Sequence, residues 1–224
     1  MLPSSTVENY LKAIFHAQTR LDGDRDLVPM GQLSAALGVA PGTATSMVKT
    51  LADADLVVYE PYSGVRLSPA GTKLAVAVLR RHRLVELFLV RVMGMSWAEV
   101  HDEAEQLEHA VSDRLIERID EMLGRPSVDP HGDPIPDVDG VIRTSELQTL
   151  LTCPLGAPLV VSRVLDQDSD FLRFVEHSHL KPGQAVTVRT RDAAADRVIV
   201  RTSSDTEVAL GTRAASKLLV EPAA

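Results

Sequence analysis

Two neighbouring stretches, Arg80-Arg-His-Arg-Leu-Val-Glu86 and His101-Asp-Glu-Ala-Glu105-Gln-Leu-Glu108-His109, constrain this chain more than any other part of it. They set His82 and Glu86 four apart, then His101, Glu105, Glu108 and His109 at offsets of four, three and one. Such spacings place side chains on one face of an α-helix. Ser96, with Glu99 three residues on, reads as a capping box that opens the second helix. Val100, Ala104, Leu107 and Val111 recur as a buried stripe, which leaves the ligand types at its edge. His101 and His109 stand roughly 12 Å apart along a helix, and one ion about 2 Å from each nitrogen cannot bridge that gap. Two sites per chain follow: Glu105, Glu108 and His109 in one, His101 with His82 and Glu86 in the other. A solvated acidic helix face is the plainer alternative for the second stretch alone.

Upstream, Ser5 and Glu8 form another S-x-x-E box, and Val7, Leu11, Ile14 and Phe15 recur at helical spacing to about Gln18. A polar turn over 22–26 leads to Pro29, a short helix over 32–37 stopped by Gly38, and a third helix that starts at Pro41 and ends near Ala54. Two short helices joined by a glycine turn are the outline of a helix-turn-helix. The second presents Thr43, Thr45, Ser46 and Lys49 to a groove, while Ala44, Met47, Val48 and Leu51 supply its buried side. Strand patterns over 56–59 and 65–67, around Glu60-Pro-Tyr-Ser-Gly64, make a wing that carries Arg66 to the DNA.

A long helix is predicted from residue 70 to about 93, then the ligand helix, then one over 113–123 capped by Ser112 and ended by Gly124 and Pro126. Three helices with broad apolar faces imply self-association. The segment 126–136 carries four prolines and a glycine among its turns and reads as an ordered linker. Strand patterns over 159–165, 185–189, 197–201 and 207–210, with a short helix over 171–180, predict a small barrel. The class is α+β, with domains at 1–72, 73–140 and 141–224.

The net charge of −8 argues against a nonspecific polyanion binder, since phosphate affinity comes from Lys and Arg, but leaves room for a local footprint. Cys153 is the single cysteine, which excludes a disulfide framework and a cysteine-cluster zinc site. No apolar run approaches the roughly 20 residues that span a bilayer, and the N-terminus lacks signal-peptide features, so a cytoplasmic protein is expected.

Taken together, Glu8-Asn-Tyr-Leu, Arg81-His-Arg-Leu-Val-Glu86, His101-Asp-Glu-Ala, Glu108-His109 and Asp129-Pro-His-Gly-Asp-Pro-Ile-Pro136 resemble the DtxR/MntR family of metal-dependent transcription regulators over essentially the whole chain. The resemblance implies a winged helix-turn-helix, a helical metal-binding dimerisation domain and an SH3-like (FeoA-like) C-terminal module. It also implies a homodimeric repressor that binds a palindromic operator when loaded with metal. Glu108 and His109 look like primary-site ligands, with Asn9 standing where relatives have methionine or aspartate. His82, Glu86 and His101 look like the ancillary set, to which Asp168 or Asp170 would lend an oxygen. Iron-responsive members carry cysteine at position 105 and manganese-responsive members an acid; Glu105 is an acid, and oxygen-rich donors suit Mn(II), with Fe(II) as the alternative. Lys12 departs from the pattern, taking the place where some members have a further acid. A metal-dependent hydrolase is the rival reading, but the chain only approaches H-x-x-E-H, with Glu105 in the first histidine's place. No membrane and no organic substrate are expected as partners.

Overall fold

A computed structural model describes residues 4–21 and 26–223, so the predicted turn at 22–26 lies, Asp26 apart, outside the described residues. The chain folds as two compact units, one of residues 1–82, 108–111 and 136–141, the other of residues 83–107, 112–135 and 142–224.

In the first unit α1 spans Ser5–Gln18 and is capped by Ser4, whose hydroxyl accepts the Val7 N–H at 3.4 Å. The cap therefore falls one residue before the predicted box, and Glu8 is not part of it. Tyr10, Leu11 and Ile14 turn one face of α1 into the core. The helix-turn-helix follows as α2 (Met30–Ala36) and α3 (Pro41–Asp53), with Gly38 between them at φ +64°. Ala44, Val48 and Leu51 of α3 are buried, which leaves its opposite face outward. Strands β1 (Val57–Glu60) and β2 (Gly64–Leu67) pair antiparallel as the wing, and Val28 bridges to Val65. The Ser68 hydroxyl accepts from the Gly71 N–H at 3.0 Å and starts α4, Pro69–Arg91, with proline in its first turn.

The second unit contains α5 (Val100–Leu107) and α6 (Asp113–Met122). Here the helix begins later and ends earlier than its sequence pattern predicts: Ser96 to Glu99 form a turn, and Glu108 to Ala110 are turn residues beyond its end. Of the predicted stripe, Val100 and Ala104 are fully buried while Leu107 is exposed. Helix α6 is capped by Ser112 and followed by Gly124 at φ +77°, as its pattern requires.

The C-terminal part is an antiparallel sheet in the order β3-β8-β4-β5-β6-β7. Its strands are β3 (Gln148–Thr149), β4 (Leu159–Val164), β5 (Ala185–Asp192), β6 (Arg197–Thr202), β7 (Glu207–Leu210) and β8 (Leu218–Pro222). Helices α7 (Ser169–His177) and α8 (Thr212–Ala215) connect them. The small SH3-like β module expected here is built as an open sheet with β3 and β7 at its edges, bent by bulges in β4 and β5. Val161, Val164, Leu172, Val175, Val188, Val200 and Leu218 form its core, joined by Trp97 and Ala98.

The proline-rich segment is fixed by its own turn. The Asp129 carboxylate accepts the N–H groups of His131 (2.8 Å) and Asp133 (2.9 Å), and the His131 carbonyl accepts from Val164 of β4 at 2.9 Å. Gly132 sits at φ +85°, where an added Cβ would lie 1.9 Å from the Ser162 carbonyl oxygen. Gly132→Ala should therefore lower the melting temperature by more than Gly156→Ala, whose φ of +71° is similar but whose surroundings are open. Thermal melts should show about 1 kcal/mol lost at Gly156 and about 3 kcal/mol or more at Gly132.

Candidate metal centre

Three elements of the first unit, α1, α4 and the turn after α5, bring charged side chains to one buried place. Glu8 and Glu108 are the two carboxylates, 3% and 0% exposed. Arg81 donates to Glu8 Oε1 at 2.8 Å, and His109 Nδ1 lies 2.5 Å from Glu8 Oε2. Lys12 Nζ donates to both oxygens of Glu108, at 2.7 and 2.9 Å, while His82 Nδ1 lies 2.6 Å from Glu108 Oε2. Burial alone would raise the Glu108 carboxyl, yet His82 and Lys12 outweigh it and hold the group below the usual carboxylate range. It is an ionised, fully desolvated ligand type.

The side-chain oxygen of Asn9, next to Glu8 on α1, and His109 Nε2 lack a hydrogen-bond partner although solvent does not reach them. The latter is 3.4 Å from Glu108 Oε1 without hydrogen-bonding geometry. A buried lone pair with no donor to satisfy it is costly unless a Lewis acid completes it.

The second unit holds a different set. His101 Nδ1 lies 3.1 Å from Glu86 Oε1, and its Nε2 is 3.7 Å from Glu105. Glu86, Asp129 and His131, all buried, bring one ligand atom each within 4.8 Å of one another. His131 Nε2 faces the Trp97 carbonyl at 2.9 Å, which directs Nδ1 toward Glu86. Burial would lower the His131 imidazole, but Glu86 and Asp129 together hold it above the ordinary histidine value. Burial, reinforced by Asp133 and Glu86, pushes Asp129 up to about 7. Arg83 and Arg163 stand beside Asp129 and Asp133 respectively.

Within the first unit His82 meets Glu108, and within the second Glu105 meets His101. Asp168 caps α7 through the Phe171 N–H, and Asp170 is engaged by Arg173; among the described residues neither joins a ligand cluster. Asp129 and His131 were missed as ligand types because their segment reads as linker, whereas Glu8 is already a candidate to stand in for Asn9, though its capping position also accounts for it.

On α3, Thr43, Ser46 and Lys49 are exposed. Thr45 is half-buried and donates its hydroxyl to the Pro41 carbonyl at 2.9 Å. Arg66, half exposed on β2, lies 3.3 Å from the exposed Asp26 carboxylate.

Comparison with known proteins agrees with this layout. Residues 3–65 match the iron dependent repressor N-terminal DNA binding domain, 68–137 the iron dependent repressor metal binding and dimerisation domain, and 148–222 the FeoA domain. A solved manganese-dependent transcriptional repressor in complex with manganese superposes with a TM-score of 0.86 at 39% identity, covering 97% of this chain and all of that one. The chain belongs to the DtxR/MntR family of metal-dependent repressors. The iron-dependent repressor IdeR of Mycobacterium leprae is 29% identical over 208 residues, 87% of this chain and 88% of that protein. The manganese regulator SloR superposes with a TM-score of 0.75 at 30% identity, with each chain fully covered. As a DtxR/MntR member the protein is a DNA-binding repressor and not an enzyme. The donor set fits the metal that the family implies: buried carboxylates, imidazoles, and two donor atoms left without partners.

The raised Asp129 carboxyl yields a pH test. A carboxyl whose folded value lies above its ordinary one contributes stability at low pH that is lost as pH rises through about 7. Asp129→Asn keeps the oxygen that caps the turn and mimics the protonated acid at every pH. In metal-free protein the variant should match the native chain near pH 4 and exceed it by on the order of 2–4 kcal/mol at pH 8. Denaturant titrations at both pH values check this.

Proposed function

We propose that this protein is a manganese-activated homodimeric repressor of metal-homeostasis genes, acting in the cytoplasm on a palindromic operator. The observation that carries the metal assignment is the donor chemistry: carboxylate oxygens, imidazole nitrogens and the orphaned Asn9 oxygen, with Cys153 buried elsewhere in the C-terminal core. Oxygen-rich sets suit Mn(II), whereas a thiolate would favour softer ions. Fe(II) is the alternative activator. Asn9, Glu108, His109 and His82 hold one ion in the first unit; Glu86, His101 and Glu105, or Glu86 with Asp129 and His131, hold another in the second. Asp168 and Asp170 keep their structural roles in this reading.

When bound, the ion would supply positive charge between α1 and the turn after α5, with Asn9 of α1 among the residues that would hold it. The work is done by α1, whose Tyr10, Leu11 and Ile14 are locked into the core of the reading head. A ligand shifts the equilibrium between orientations only as far as its affinity for them differs, and a rigid α1 converts that difference into a position for α3. Residues 1–72 thus read DNA through Thr43, Thr45, Ser46, Lys49 and Arg66. Residues 73–140 dimerise; Val92, Met93, Leu107, Leu115 and Met122 leave apolar side chains exposed there. Among the described residues no helix is long and apolar enough to cross a membrane.

Glu108→Gln and His109→Gln should each abolish Mn(II)-dependent operator binding, read by fluorescence anisotropy with Mn(II), Fe(II) and Zn(II) in parallel. An unchanged response in both variants would defeat the assignment of the activating site. Lys49→Ala should weaken binding to all sequences alike and reduce the slope of log affinity against log salt by about one unit, measured by anisotropy over a range of salt.

A further inference from the structure

The carboxylates that would draw a divalent ion into the first unit already hold cations of the chain itself. Lys12 lies on both oxygens of Glu108 at 2.7 and 2.9 Å, and Arg81 on Glu8 at 2.8 Å. All four side chains are buried, at 8% exposure or less. Lys12 and Arg81 set two positive charges against the two carboxylates, so the metal-free cluster is charge-compensated before a dication arrives. Lys12 is the sharper obstacle. An ion that coordinates Glu108 must use the same carboxylate lone pairs the ammonium occupies. Two cations at such spacing in a desolvated place repel far more strongly than in water. Arg81 differs, because a planar guanidinium on one oxygen of Glu8 leaves Glu108 untouched.

We propose that Lys12 is a tethered competitor for the activating metal: it occupies Glu108 in the metal-free protein, and the ion binds by displacing it. The proposal rests on the reading of this cluster as the activating site. Lysine suits the role, since its ammonium is strongly hydrated and its four-carbon stem is flexible enough to withdraw. The exchange takes place on one face of α1, because Asn9 precedes Lys12 by three residues and its oxygen awaits a partner. The same helix thus gives up an ammonium contact and gains an ion contact. Lys12 thereby raises the metal concentration at which the repressor engages its operator.

The test compares full-length metal-free native protein with Lys12→Met and Lys12→Gln. Each is titrated with Mn(II) against a chelating fluorescent indicator, and each is melted without metal. Both variants should bind Mn(II) about tenfold or more tightly than the native chain, because the competitor is gone. They should also melt lower without metal, because a buried Glu108 has lost its counter-ion, and should gain more in melting temperature on Mn(II) saturation. Should Lys12→Met fail to fold without metal, Lys12→Gln, which keeps a hydrogen-bond donor, decides on the same readings. Equal or weaker Mn(II) binding by the folded variants would overturn the proposal, since Lys12 would then be a fixed partner of Glu108 that stays in place. Absence of Mn(II) binding by the native protein is a separate result and would overturn the site assignment and the proposal together.

Discussion

A carboxylate without solvent, Glu108, is the point on which the first unit depends. Desolvating such a group costs several kcal/mol unless charge and hydrogen bonds offset it, and the chain supplies both from two other elements, Lys12 of α1 and His82 of α4. Glu8 repeats the scheme from the other side, since it sits on α1 and reaches Arg81 of α4 and His109 of the turn. Each acid therefore ties its own element to the other two. Besides packing Leu11 and Ile14 into the apolar core of the unit, α1 thus meets α4 and the turn after α5 through charge.

The two acidic clusters use the same residue types with opposite electrostatics. Glu108 is kept ionised because cationic partners outweigh burial, whereas Asp129 is pushed to about 7 because burial is reinforced by Asp133 and Glu86. In the first cluster the carboxylate is compensated by cations; in the second burial is the larger cause and neighbouring carboxylates add to it, with Arg83 and Arg163 alongside.

Much of the fold was legible because local signals agreed. Gly38 with Pro41 at the helix-turn-helix, Ser112 with Gly124 around α6, and the alternation of 197–201 each point to the element that forms. The failures have physical reasons. Ser4 and Ser5 both satisfy a capping pattern, and the choice of Ser4 frees Glu8 for the cluster. The run through Glu108 and His109 keeps a helical period, yet the helix stops at Leu107, where hydrogen bonds to His82 and Glu8 compete with the next turn. Strand β8, Leu218–Pro222, ends in a proline and shows no polar–apolar alternation, and β3 has only two residues. Asp129 and His131 lie more than forty residues from Glu86 in sequence, and only the approach that Gly132 permits to β4 brings them near it. Lys12 showed in the sequence as a departure from the family pattern, but its hold on both oxygens of Glu108 is visible only in three dimensions.

Cys153 sets a boundary on what this molecule can sense. Its thiol is buried in the C-terminal core, burial keeps it protonated despite the neighbouring Arg191, and its sulfur is taken by that guanidinium at 3.0 Å. Oxidants attack thiolates, in proportion to their exposure. The ligand types gathered in both units are carboxylates and imidazoles, so an oxidant that acts on thiolates finds no target among them.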